Sequence, residues 1–229
     1  MLNNNWLEIW EKKGKDSWLG DKLGSTKEVF LELKKLDGFD VFGGGVKYES
    51  FIYQHKECKK MLVNETERRF SCKVNKIFEI GCGSGANLLL FEEEGYKVGG
   101  IDYSQSLIDI AKKVLQSNLL QCDEAVNINL SDEYDVVFSN SVFHYFPNYS
   151  YAETVLEKGL QISKYAIGLL DIHDARKKED FIAFRKKEIS NYEEKYANLP
   201  KLFYEKSFFE SFAKKHNLDI FFGNTKGKT

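Results

Sequence analysis

Apolar residues along this chain keep a helical spacing up to about residue 70 and then switch to short apolar runs alternating with helical stretches. Trp6, Leu7, Ile9 and Trp10, and later Val29, Phe30, Leu33 and Leu36, recur at three- and four-residue intervals, which predicts helices up to about residue 36. Ser25 stands three residues before Glu28, the spacing of a capping box. The stretch from Asp37 to Gly45 then ends in three consecutive glycines, which suit neither a helix nor a strand interior and predict a loop or hinge. A further helix is expected from about residue 49 to 67. Strand-like runs follow at 76–80, 97–101, 119–122, 134–139 and 165–170. Between them lie helical patterns at 104–117 and 150–162, the latter with a possible Ser150/Glu153 capping pair. A charged helical stretch at 177–196, a helix at 207–216 with a Ser207/Glu210 pair, and a strand at 218–222 close the pattern.

Continuous apolar strands alternating with amphipathic helices imply a mostly parallel sheet covered on both faces. The expected fold is therefore α/β, a doubly wound Rossmann-like sheet, with residues 1–70 as an N-terminal helical cap and 71–229 as the core. Ligands of such sheets sit beyond the carboxyl ends of the strands, where strand order reverses. That rule gathers Gly81 to Gly85, Asp102, Asp123, Ser139 to Tyr145 and Asp171 to His173 on one rim.

Composition narrows the function. The 229 residues are 42% hydrophobic and 30% charged with a net charge of -2, which suits a globular domain and lacks the basic balance of a dedicated nucleic-acid binder. Cys58, Cys72, Cys82 and Cys122 are scattered without paired metal spacing, so they read as reduced thiols and no metal site is expected. No leader pattern and no run of roughly 20 apolar residues occurs, so a cytoplasmic protein without membrane contact is expected. The oligomeric state is not legible.

The chemistry concentrates in Glu79-Ile80-Gly81-Cys82-Gly83-Ser84-Gly85, which follows a strand-like run and opens a helix. Closely spaced glycines at such a turn let backbone approach a ligand. Two readings are open. Gly81-x-Gly83-x-x-Ala86 with Asp102 about 20 residues on fits a dinucleotide fingerprint. Alternatively, Glu79 followed by glycines at every second position fits a different nucleoside cofactor.

With Gly100-Ile-Asp-Tyr-Ser104, Cys122-Asp-Glu-Ala125 and Tyr134-Asp-Val-Val-Phe-Ser-Asn140 in order behind that loop, residues 76–222 resemble the class I S-adenosylmethionine-dependent methyltransferases, here of a small-molecule type. The resemblance implies a Rossmann-like core that binds S-adenosylmethionine and releases S-adenosylhomocysteine. Gly81, Cys82, Gly83 and Gly85 would carry the chain beneath the methionine portion and ribose, and Glu79 would order the loop or reach the ammonium through water. Asp102 would take the ribose hydroxyls, Tyr103 would cover the adenine, Asp123, Glu124 and Ala125 would meet its edge, and Asn140 would receive the ammonium. Methyl transfer from a sulfonium needs chiefly positioning, with a base only when the acceptor holds its proton. His144 stands where such a base would stand.

The expected acceptor is a metabolite, a sugar or a sugar substituent such as one on a surface polysaccharide, contacted by Tyr145, Asp171 and His173 and by a lid carrying Tyr48, Tyr53 and His55. The run Ser139-Asn-Ser-Val lacks the Asn-Pro-Pro-Tyr pattern associated with amide or base-amine methylation. Residues 223–229 carry no apolar run, so the antiparallel last strand usual in these enzymes is expected to be missing, truncated or supplied otherwise. An NAD(P)-dependent oxidoreductase and a non-catalytic cofactor-binding protein remain the alternatives.

Overall fold

The computed structural model describes residues 5–15, 24–39, 41 and 45–223. Gly43 and Gly44 of the predicted hinge and residues 224–229 lie outside them.

Five strands, β1 (Lys76–Ile80), β2 (Lys97–Asp102), β3 (Leu120–Cys122), β4 (Tyr134–Asn140) and β5 (Ser163–Leu170), form one sheet in the order β3-β2-β1-β4-β5. Every pairing is parallel. The order reverses between β1 and β4, and this is the expected class I methyltransferase fold. The apolar runs become central strands because both faces are covered: Ile77, Phe78, Val136 and Val137 are fully buried. One face packs under α5 (Ala86–Glu93) and α6 (Gln105–Val114), the other under α7 (Tyr149–Ile162).

The cap consists of α1 (Asn5–Lys15), α2 (Thr26–Leu36), α3 (Tyr48–Lys59), a π-helical turn (Lys60–Asn64) and α4 (Glu65–Phe70). The capping box forms as predicted: Ser25 Oγ accepts from the Glu28 amide at 3.3 Å and Glu28 Oε2 accepts from Gly24 N at 3.2 Å. α1 docks on the start of α6, where Ser106 Oγ donates to Glu11 O at 3.0 Å. α2 lies against α5 through Phe30 and Leu33.

Four local expectations change. The cap of α7 is Asn148, not Ser150, because the Asn148 side chain accepts from Tyr151 N at 2.8 Å. After β5, the charged stretch divides into α8 (Lys178–Glu188) and α9 (Tyr192–Tyr196). At α10 (Lys206–Lys215), Ser207 turns its hydroxyl to the Glu205 carboxylate, so no Ser207/Glu210 box forms. Residues 218–222 take up no regular secondary structure and join no strand ladder, so the predicted sixth strand is absent among the described residues. Phe221 and Phe222 instead stay largely exposed, beneath the Arg69 guanidinium and the Lys206 ammonium. No helix among the described residues is long and apolar enough to cross a membrane.

Candidate functional site

A cavity of about 340 Å³ opens above the carboxyl ends of β1, β2 and β4, at the point where strand order reverses. Its floor is the loop leaving β1. Gly81 N and Cys82 N both donate to Ile101 O, at 2.8 and 3.0 Å, which bends the chain sharply out of the sheet. Gly81 (φ +74°) and Gly83 (φ +52°) hold conformations that L side chains rarely adopt. A Cβ on Gly81 would run into the Val142 side chain, and one on Gly83 would lie 2.6 Å from Asp37 Oδ1.

Three carboxylates converge on this loop. Asp102, at the end of β2, accepts from Gly83 N at 3.0 Å and from Ser104 N at 2.9 Å. Asp37, at the end of α2, accepts from Ser84 N at 2.9 Å. Glu79, the penultimate residue of β1, accepts from Asn87 Nδ2 at 2.6 Å through Oε1, while its buried Oε2 has no hydrogen-bond partner. The counter-charge is Lys34 of α2, whose ammonium donates to Asn87 Oδ1 at 2.8 Å and is roofed by Phe30, Phe39 and Phe51. Burial raises all three acids, Glu79 to about 8 and Asp102 to about 6, with repulsion from neighbouring carboxylates adding at Glu79 and Asp102 and the Lys34 charge opposing it at Asp37. Burial lowers Lys34. This end of the cavity therefore gathers three carboxyl groups around one lysine; Glu79 keeps its proton near neutral pH in the ligand-free protein, and a positively charged ligand would draw it off.

The opposite wall carries Tyr103, Leu107, Asp123, Glu124, Ala125, Phe146 and Tyr151. Asp123 Oδ1 takes up Glu124 N at 2.7 Å and Asn127 Nδ2 at 2.8 Å, which fixes this turn after β3. Asn140, Ser141 and Tyr145 supply the β4 side, and Leu7 and Trp10 of α1 with Phe39 close the cavity from above.

Behind Tyr145 sits a second polar group. The His144 and His173 rings stack 4.0 Å apart and 3° from parallel. His144 is 3% exposed, and its Nδ1 and that of His173 are buried without partners. Burial, with the Lys201 charge adding, lowers His144 to about 2 and His173 to about 4. Asp171 (φ +54°) accepts from Ser141 Oγ at 2.6 Å.

The residues predicted for the cofactor thus meet around one cavity, as does Tyr145, with Gly85 just behind the loop at the start of α5. His144, His173 and Asp171 lie outside its wall, on the far side of Tyr145. The predicted lid is a correction. α3 turns Phe51, Cys58 and, beyond it, Leu62 inward, so Tyr48 packs edge-on to Phe30 beneath Lys27, Tyr53 is 52% exposed, and His55 pairs with Glu94 at 3.1 Å. The covering elements are α1 and the end of α2. Sequence reasoning missed Trp10, Lys34, Asp37 and Asn87. A signal existed for two of them: Lys34 and Asp37 continue the Phe30–Leu33 face at helical spacing, where a charge would otherwise be unexpected.

Comparison with known proteins agrees with this geometry. Residues 78–162 match a family described as a methyltransferase domain. The malonyl-[acyl-carrier protein] O-methyltransferase of Bacillus cytotoxicus is 28% identical over 105 residues, covering 44% of this chain and 37% of that protein. The protein of the same name from Calditerrivibrio nitroreducens is 26% identical over 121 residues, covering 51% and 45%. The match thus spans less than half the length of these curated relatives. Among solved structures, the plantazolicin methyltransferase BpumL with a pentazolic desmethylPZN analog and S-adenosylhomocysteine aligns at TM-score 0.58 and 19% identity, covering 93% of this chain and 78% of that one. Magnesium protoporphyrin IX methyltransferase from Synechocystis, with bound S-adenosylhomocysteine, aligns at 0.51 and 12% identity, covering 76% and 78%. At these identities the likeness is one of fold.

Proposed function

We propose that this chain, whose residues 78–162 match a methyltransferase domain, is a class I S-adenosylmethionine-dependent methyltransferase that methylates a small-molecule acceptor with this cofactor bound in the cavity above β1, β2 and β4. The observation that carries the reading is the charge of the glycine-loop end: Asp37, Glu79 and Asp102 face one lysine, and Glu79 Oε2 is buried without a partner. An ammonium and a sulfonium satisfy such a site. A diphosphate does not, because it would meet three carboxylates, and the Gly83 and Ser84 amides it needs already serve Asp102 and Asp37.

In this reading Glu79 and Asn140 hold the ammonium and Lys34 the carboxylate of the methionine end. Asp102, fixed by two backbone amides, keeps lone pairs for the ribose hydroxyls. Asp123, Glu124 and Ala125 line the adenine, with Tyr103, Phe146 and Tyr151 against its faces. The bound cofactor supplies a methyl group activated by a positive sulfur. Leu7, Trp10 and Phe39 exclude water, and Tyr145 walls the acceptor side. His144 is held neutral but is a feeble proton acceptor in its buried stack, so the reading assigns it the support of Tyr145 rather than proton transfer.

Calorimetric titration with S-adenosylhomocysteine and with NADH tests the assignment, followed by assay of S-adenosylhomocysteine release from S-adenosylmethionine against acceptor pools. Saturable binding of the first ligand alone is expected, with turnover in at least one pool. Binding of NADH alone would move the protein to the oxidoreductases, and binding without turnover in any pool would favour a non-catalytic role.

A further inference from the structure

We propose that the acceptor carries a carboxylate, held by Lys201 and Arg185 above the carboxyl ends of β4 and β5; the inference rests on the methyltransferase reading given above. Lys201 lies on a strap, residues 200–204, that is tied down on three sides. Pro200 O accepts from Trp6 Nε1 at 3.2 Å, Leu202 N donates to His144 O at 2.8 Å, and Tyr204 N donates to His173 O at 2.7 Å. The strap sets the Lys201 ammonium among three rings, 4.9 Å from the centre of Tyr145 and 5.7 Å from those of Trp6 and Phe181. Tyr145 is the ring that walls the cavity, so the ammonium stands one side chain away from it.

That ammonium has no carboxylate within ion-pair distance among the described residues. Aromatic faces offset part of the cost of burying a cation but do not neutralise it. Arg185 repels it further; among the described residues its own guanidinium donates to the Tyr196 hydroxyl at 3.4 Å and lies over that ring, with no carboxylate in ion-pair distance. The nearby acid is Asp171, already engaged by Ser141. The fully buried edge of this group is His144, whose Nδ1 has no partner. Among the described residues, two cations against one carboxylate leave the group behind Tyr145 positive, whereas the glycine-loop end of the cavity is acidic. Charge is thus segregated across the Tyr145 ring: a cationic cofactor sorts to the cavity side, and an acceptor's anionic group reaching past the ring sorts to the Lys201 side. A carboxylate also fits the absence of an effective base beside Tyr145, because it arrives without a proton to lose.

The groups acting on Lys201 are Arg185, Asp171, His144, His173 and Tyr145, and burial with Arg185 brings its ammonium down to about 8. Its charge is therefore present below that pH and lost above it.

The test uses protein saturated with S-adenosylhomocysteine and two probes of equal shape, succinate and succinamide, titrated by calorimetry. Wild type is expected to bind succinate about tenfold more tightly, a difference of about 1.4 kcal/mol. The preference should vanish in Lys201→Met, persist in Lys201→Arg, and fade above pH 8 in wild type but not in Lys201→Arg. Equal affinities, no binding of either probe, or an undiminished preference in Lys201→Met overturns the inference. Failure of S-adenosylhomocysteine to bind at the outset would instead strike the cofactor reading. Unchanged affinity for that ligand in both variants shows that they fold.

Discussion

The Asp37 carboxylate and the Ser84 amide are joined by a 2.9 Å hydrogen bond across 47 positions of sequence, and this contact ties the end of α2 to the glycine loop. The Ser84 hydroxyl reinforces it by donating to Leu33 O at 3.1 Å. The cap thereby sets the shape of the cofactor floor. Replacing Asp37 with alanine should free the loop and remove one acid facing the ligand. Charged hydrogen bonds of this kind contribute about 1.5–3 kcal/mol, so affinity for S-adenosylhomocysteine should drop at least about tenfold. Calorimetry on Asp37→Ala checks it, and wild-type affinity would show that the cap does not shape the loop.

Asp102 makes a comparable pair of backbone contacts but at the centre of the sheet rim. Asp102→Ala should cost S-adenosylhomocysteine binding about 2–3 kcal/mol, because the Gly83 and Ser104 amides lose their acceptor along with the ribose. Asp102→Asn keeps an acceptor for one amide and should lose less. Identical losses in the two variants would argue that the charge alone matters.

Raised acids make the ligand-free protein sensitive to alkali. Glu79 binds its proton more tightly folded, at about 8, than unfolded, near 4.3, so the folded state holds the extra proton between those values. Stability linked to this group should therefore fall as pH rises from about 4 to 8. Glu79→Gln keeps an oxygen for Asn87 and removes the titration. Thermal unfolding of both proteins at pH 5.5 and 8 should show the variant gaining relative to wild type at the higher pH. Parallel shifts would contradict the burial argument.

Why some of this is readable from sequence follows from topology. Glu79, Gly81, Asp102, Asp123 and Asn140 all sit at or just past the carboxyl ends of parallel strands, and the sheet order alone brings them to one rim. Local pattern finds the strands, so it finds these residues. Trp10, Lys34 and Lys201 reach the site through the docking of α1, α2 and the strap at 200–204, contacts between distant segments that no local period encodes. The lid misassignment has the same origin: Tyr48 and Tyr53 stand five positions apart on different sides of α3, and Phe51 decides which side turns inward. The residues at 218–222 have the composition of a strand, but a strand also needs ladder partners for its amides.

Gly81 tests the floor of the site directly. An alanine there would combine a backbone angle of +74° with a side chain driven into Val142. Strain of this kind costs about 1–3 kcal/mol. Gly95, at +89°, has open space around it, so Gly95→Ala suffers the backbone term alone. Urea unfolding should rank Gly81→Ala below Gly95→Ala, and only the former should lose S-adenosylhomocysteine binding. A reversed order would mean that the Val142 contact relaxes easily.

The stacked imidazoles give the opposite pH signature to Glu79. His144 and His173 are lowered to about 2 and 4 by burial, while unfolded imidazoles take up protons near 6.5. Below 6.5 the unfolded chain binds protons that the folded one refuses, so the stability these residues hold above that pH is lost progressively toward 4 and below. His144→Phe retains an aromatic surface against Tyr145 and His173 without the titration. Its unfolding midpoint should fall less between pH 7 and 5 than that of wild type, read by circular dichroism. Because Tyr145 leans on His144 at 4.1 Å, the same acidification should loosen the wall between the cavity and Lys201. Fluorescence of Trp6 and Trp10, which both pack edge-on to Tyr145, should report that change before global unfolding. A fluorescence transition that coincides with unfolding at every pH would mean that the wall moves only when the whole domain does.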